Sequence, residues 1–369
     1  MHFPSKAVAS ILMAATAVAA FPAQAQNSIF PPGWDSSVRD RLFMRIGYTT
    51  ALTKTQSEDA RDITGPVLTR QQINDAFNTA ITISQACGSN RTTPDCARYS
   101  DGDGTTWDLA RGVIDAAFED SGETSIGTPR GIKAKAQRQI GTPTLSVGYW
   151  LDAERRWLLE GFVLAKPMSV RIEGDGVRTD GTPNGVNGRH IATVNLLPPL
   201  VIGSYHFGDA KSIVRPYLGL GAMYAIFYGG KTTEYFDFYQ GGKSTVSTKN
   251  TFGAGPFVGL TSPISDDWHV NLSVGRIGLR ARSTIVTTNT FIGTGAPVLQ
   301  DINPRLLEAI NAGEELATSQ VGTGTNGITT LISELAARNR GQISLGNYVR
   351  EQKMKITNTI ITLSVGRSF

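Results

Sequence analysis

Residues 192–228, ATVNLLPPLVIGSYHFGDAKSIVRPYLGLGAMYAIFY, form two long runs in which apolar side chains recur at every second position, joined by the polar turn 208–213. A period of two is the mark of strands with unlike faces. The first run contains Pro198-Pro199. Proline has no N–H to give to a ladder and is normally confined to edges and bulges, so the pair predicts a local opening in the sheet.

Outward from this stretch, eight segments share the alternation: about 41–52, 143–152, 157–172, 189–207, 214–231, 251–264, 268–287 and 354–369. Tight polar links at Asp152–Arg156, Gly208–Ile213 and Ser265–Asp267 alternate with long connections, of which 53–142 and 289–353 are the largest. An even count with short links at one end and long loops at the other predicts an all-β fold. We expect an eight-stranded antiparallel transmembrane β-barrel with periplasmic turns and two large, partly helical extracellular loops. A soluble β-sandwich or secreted barrel is the alternative.

The start of the chain agrees with export. Lys6, the apolar run Ala7–Ala20 and Ala23-Gln24-Ala25 read as a signal peptide over 1–25, leaving 26–369 as one barrel domain. No later segment offers the eighteen continuous apolar residues of a membrane helix, which rules out an inner-membrane helical protein. The net charge of +4 is small for 369 residues and selects no anionic partner; nucleic acid is not expected. Cys87 and Cys96 are the two cysteines, close together in a polar region, and read as a disulfide closing a small loop.

Strand parity separates two faces. Leu218, Leu220, Ala222, Tyr224, Ile226 and Tyr228 share one face, as do Ile361, Leu363, Val365 and Phe369, and these should meet lipid. Tyr149, Tyr205, Phe207, Tyr217 and Trp268 suit interfacial girdles. The other parity puts Trp150, Leu158, Phe162, Leu164, Leu200, Ile202, Met223, Phe227, Phe257 and Ile360 inward, among small residues such as Gly219, Gly221, Gly253 and Gly259. That predicts a largely apolar lumen. Arg45, Glu160 and Lys166 also fall inward, and Arg45 with Glu160 reads as a structural ion pair plugging the periplasmic end, with an ion filter as the alternative. In the seventh segment the apolar set changes parity between Val274 and Ile277, which predicts a bulge at Gly275-Arg276 unless the strand rises above the membrane there.

The long loops carry helix signals. Thr69-Arg70-Gln71-Gln72 reads as a capping box, Thr106–Phe118 as a second helix, Asn303-Pro304 as a cap and first turn, and Ile328–Arg340 as a further helix ending before Gly341.

FMRIG at 43–47, LLPP at 196–199, YHFGDA at 205–210, RPYLGLGAMY at 215–224, DDWHVNLSV at 266–274 and the terminal GRSF together resemble the OmpW family of outer-membrane proteins. The resemblance covers the barrel and neither of the two largest loops, which are longer here than is usual in the family. It implies an eight-stranded barrel in the Gram-negative outer membrane, with no enzyme activity. It also implies an apolar lumen that passes small hydrophobic molecules and releases them laterally into lipid. The terminal Phe369 is similar to the assembly signal read by the outer-membrane assembly machinery.

On that reading Pro198 and Pro199 make the exit, and Trp150, Phe162, Leu200, Ile202, Met223, Phe227 and Phe257 contact the solute. Expected partners are outer-membrane lipid, lipopolysaccharide and the solute itself; no cofactor or metal is expected. The second reading is a surface interaction protein whose long loops bind a partner. A third, a lipid hydrolase, rests on Ser204 and His206 sharing a face with no acidic third member evident. Asp101-Gly102-Asp103-Gly104 has part of a calcium-loop pattern but reads as a turn, and His190 and His269 stand alone.

Overall fold

The structure, a computed structural model, describes residues 40–127, 130–164, 166–178, 181–321 and 327–369. The expected signal peptide lies outside the described residues. Eight strands close into a ring: β1 (Leu42–Ser57), β2 (Gln139–Trp150), β3 in two halves (Trp157–Leu164 and Met168–Gly174), β4 in two halves (His190–Leu197 and Leu200–His206), β5 (Arg215–Thr232), β6 (Thr251–Pro263), β7 (Trp268–Thr288) and β8 (Tyr348–Ser368). Every neighbouring pair is antiparallel, and β8 closes the ring on β1 from Phe43↔Ser368 to Ser57↔Met354. Alternation is what selects this arrangement. Leu145, Val147, Leu159, Val201, Leu218, Val258, Leu272 and Val274 all point outward and are exposed, while their sequence neighbours are mostly buried. Closure gives every strand a ladder partner on both sides along most of its length, the condition for a sheet to stand in hydrocarbon.

Several expectations need correction. β3 is not continuous through 157–172, because Pro167 interrupts it, and Lys166 is exposed at the break rather than inward. β7 has no bulge at Gly275-Arg276: buried and exposed positions alternate without a slip from Asn271 to Ser283, and its ladder with β8 is unbroken. The apolar residues change parity because the two faces change surroundings. Below Val274 the outward face is apolar; above it the outward residues are Arg276, Arg280 and Arg282, while Ile277, Leu279 and Ala281 turn inward. Tyr217 is no girdle residue either; it is buried and stacks on His206 at 4.5 Å.

The two largest loops fold together over the loop end. Helices α1 (Arg70–Cys87), α2 (Pro94–Tyr99) and α3 (Thr105–Ser121) come from the first, α5 (Pro304–Val321) and α6 (Ile328–Arg338) from the last, and α4 (Glu234–Gln240) from the loop after β5. The capping box forms at Thr69 and Gln72. Phe77, Trp107, Phe118, Leu306, Leu331 and Leu335 belong to one buried core shared by both large loops. Arg98–Glu334 and Arg338–Asp95 tie them across their surfaces. Cys87 and Cys96 are disulfide-bonded, linking the end of α1 to α2. Asp101 accepts N–H groups from Gly104 and Thr106, and Asp103 accepts that of Thr105, so these carboxylates cap the start of α3. Tyr239 of α4 donates to Asp301, and burial pushes the Asp301 carboxyl up to about 6 against the pull of Arg178.

Candidate functional site: a plugged barrel with an apolar chamber and a window in its wall

The turn end of the lumen is filled. Arg45 of β1 and Glu160 of β3, both buried, meet at 2.5 Å, and Ser146 of β2 donates to the second Glu160 oxygen at 2.6 Å. Arg45 Nε donates to His269 Nε2 at 2.9 Å, and its guanidinium lies 4.2 Å from the centroid of the Phe43 ring. A side chain at Gly366 would overlap both Arg45 and His269, so glycine is required where they pass. Below this pair, Trp150 packs edge-on against His206 at 4.9 Å, and Arg215 lies 5.5 Å from the Trp150 ring. Trp150 therefore belongs to the plug and not to the chamber above it.

Ser204 Oγ and His206 Nε2 are 3.2 Å apart. His206 Nδ1 has no hydrogen-bond partner, so no carboxylate orients the ring as a hydrolytic triad requires.

Above the plug the lumen is apolar. A lower cavity of about 560 Å³, open space included, is lined by Phe162, Leu164, Met168, Leu196, Pro198, Leu200, Met223 and Ile360, with Thr142 and Thr144 on the β2 side. An upper cavity of about 970 Å³, its open space included, continues from Met168 and Leu196 to Ile172, Phe227, Leu279 and Met354. Phe236 of α4, Ile191 and Ile285 form its roof. Ile202 and Phe257 are buried in the same cluster; Phe257 fits because side chains at Gly221 or Gly275 would overlap its ring.

Beside the lower cavity the wall is interrupted. β2 and β3 are paired up to Thr144↔Leu164, and contact resumes where Gln137 N–H donates to Arg171 carbonyl at 2.8 Å. Both pairs share one register, and the short strand Ala134–Ala136 continues it beside the upper half of β3. Between them, no ladder pair joins 138–143 to 166–170 among the described residues.

The cause is chemical. Odd-numbered residues of β2 and β3 turn their backbone groups toward each other, as Leu151 N–H to Trp157 carbonyl and Gln137 N–H to Arg171 carbonyl show. Pro143 and Pro167 are both odd-numbered and have no N–H, so each side of the window lacks a donor. The Thr142 hydroxyl reaches Lys166 carbonyl at 3.4 Å across it.

The two prolines of β4 divide between its flanks. Pro199 carbonyl accepts from Tyr224 N–H at 3.0 Å, so Pro199 faces β5, and that ladder runs on from Leu200↔Met223 to Leu197↔Ile226. Pro198, of the opposite parity, faces β3. There the register slips by two residues, from Leu200↔Phe162 to Leu196↔Met168. Pro198 is therefore the member of the pair beside the break in β3. Exposed Leu145 and Val163 border the window's turn-ward edge, and Gln139, Ser169 and Arg171 its loop-ward edge, so it opens at the upper margin of the apolar belt.

Sequence reasoning passed over Pro143, Pro167 and Phe236, and it left His269 standing alone where the structure has it accepting from Arg45. Pro167, inside an alternating run, carried the same signal as Pro198.

The OmpW family pattern matches residues 116–304 of the chain. Over 84 residues the chain is 40% identical to Outer membrane protein W of Escherichia coli (strain K12), a stretch amounting to 23% of this chain and 39% of that protein. Over 195 residues it is 26% identical to Outer membrane protein W of Vibrio cholerae serotype O1, covering 49% of this chain and 82% of that protein. The crystal structure of OprG from Pseudomonas aeruginosa aligns with a TM-score of 0.47 at 11% identity, over 90% of this chain and 97% of that one. The solution structure of the E. coli protein aligns with a TM-score of 0.32 at 18% identity, over 90% of this chain and 99% of that one.

Proposed function

Because this chain belongs to the OmpW family of Gram-negative outer-membrane β-barrel proteins, we propose that it is a passive conduit for small hydrophobic molecules, which leave its lumen sideways into the membrane. The observation that carries this reading is the lower cavity, whose lining includes Thr142, Leu164, Met168 and Pro198, residues that flank the interrupted wall. A solute in that cavity has the Arg45–Glu160 plug beneath it and the unzipped segment of β2 and β3 beside it. Crossing the plug would mean parting a buried ion pair, whereas the window has fewer ladder bonds to break. An apolar solute gains by moving from a dry cavity to the lipid bordering Leu145 and Val163.

The inequivalence of the two β4 prolines gives a test. Pro198→Val restores an N–H facing β3 and is expected to slow uptake of a hydrophobic fluorophore into proteoliposomes. Pro199→Val restores one facing the already continuous β5 ladder and should leave the rate unchanged. Equal rates for wild type and Pro198→Val would remove β4 from the exit.

A second reading, in which the barrel anchors a surface-binding cap, is favoured by the cap's own disulfide-linked core. The two loops share that core, so they must be removed together. Replacing 66–127 and 291–346 by short linkers is expected to leave hydrophobic uptake in place; abolished uptake in a folded barrel would assign the function to the cap.

A further inference from the structure

The outer wall carries a second feature, independent of the transport reading. Just above the lipid-facing Leu272 and Val274 of β7 and Ile361 of β8, the outward residues become basic: Arg276 and Arg280 on β7, Lys355 on β8, and Lys54 on β1. The ladders bring them together. Arg280 lies directly opposite Lys355, Gly278 opposite Thr357, and Thr357 in turn opposite Lys54. The four side chains therefore ring Gly278 and Thr357, and a Cβ built at Gly278 meets nothing within 4 Å, leaving an open floor.

No acid answers this charge. The outward positions of the three strands across the cluster are Leu52, Lys54 and Gln56, Val274 to Arg280, and Ile361 to Lys355, with no Asp or Glu among them. Glu351, higher on β8, is engaged by Arg282 at 3.4 Å. All four cations are exposed, and none has an ion pair among the described residues, although like charges placed directly across a ladder repel. An anion bound between them would remove that repulsion. The depth is set on the neighbouring strands, where Phe252, highly exposed and adjacent to Arg280 on β6, packs on Tyr224 at 4.5 Å in the manner of interfacial aromatics.

We propose that Lys54, Arg276, Arg280 and Lys355 form a binding site for the phosphate groups of the phosphorylated glycolipid of the outer leaflet, lipopolysaccharide. Its phosphates lie where acyl chains give way to sugars, the same transition that Val274 to Arg276 marks on β7. Arginine forks suit phosphate oxygens, and clustered cations at a membrane surface add their attractions.

The test uses the full chain, purified and folded, with retained lipid counted by native mass spectrometry. Diphosphorylated lipid A should be retained roughly tenfold or more over its dephosphorylated form, and Arg276→Gln/Arg280→Gln/Lys355→Gln should erase that preference. Lys211→Gln, in the turn between β4 and β5 at the opposite end of the barrel, should not. Arg280→Gln alone, expected to weaken retention severalfold, serves if the triple variant fails to fold. Displacement of lipid A by excess inorganic phosphate would turn this into a free-phosphate site and overturn the glycolipid assignment. Equal retention of both lipid A forms, or an unaltered preference in the variants, would overturn the site itself.

Discussion

Pro143→Val/Pro167→Val is expected to slow hydrophobic-solute uptake by about thirtyfold while leaving the barrel folded. Each valine returns one N–H to the window between β2 and β3, where the register above and below already matches, so the strands can zip without slipping. A ladder hydrogen bond contributes about 1 kcal/mol net, and two would shift the balance toward the closed wall by about 2 kcal/mol, a factor of about 30. Valine also suits a pleated strand better than proline does. Proteoliposome uptake gives the rate, and gel mobility with and without heating gives the folded fraction. An unchanged rate in folded protein would mean that the window is not where the solute leaves.

The second large effect concerns the plug. Glu160→Ala leaves the Arg45 guanidinium buried beside His269 and Phe43 without its counter-charge. Removing one partner of a buried pair costs about 3–5 kcal/mol, so urea unfolding in lipid should show a loss of that order. Replacing both partners with apolar residues of similar volume, Arg45→Met/Glu160→Leu, should recover most or all of the loss. Uptake by this double variant should be retained, because the proposed path never crosses the plug. If it instead lost uptake while stable, the pair would be part of the solute path.

Much of the barrel was legible because alternation is a local property. Strand count, the short turns and the inward set that includes Phe162, Leu200 and Met223 follow from a period of two. Parity also put Arg45 and Glu160 in the lumen, and the structure brings them within 2.5 Å. What stayed hidden depends on neighbours. That Pro198 and Pro199 serve different flanks requires knowing which strand lies on each side. That Pro143 and Pro167 withhold donors from the same stretch of the β2–β3 ladder, with Pro167 opposite Gly141, requires the register of those strands.

The expected bulge in β7 arose from reading a change of surroundings as a change of backbone. Lipid gives way to a charged outer surface outside, while an apolar chamber begins inside. α4 was missed because its sequence, EYFDFYQ, is rich in aromatic strand formers. Thr233 before it, accepting from Phe236 N–H, and Glu234 and Asp237 in its first turn were the available helix-start signals. His269 gave no sequence signal, since its partner Arg45 lies 224 residues away.

The most direct measurement locks the window covalently. Ile140 and Met168 fall opposite each other in the register shared above and below the window, and both line the upper cavity, so Ile140→Cys/Met168→Cys can be oxidised to staple β2 to β3. Uptake of a hydrophobic fluorophore is then followed in proteoliposomes before and after reduction, with wild type under the same reductant as control for the Cys87–Cys96 bond. The account predicts that the oxidised variant is inactive and that reduction restores it; full uptake through the stapled wall would contradict lateral exit.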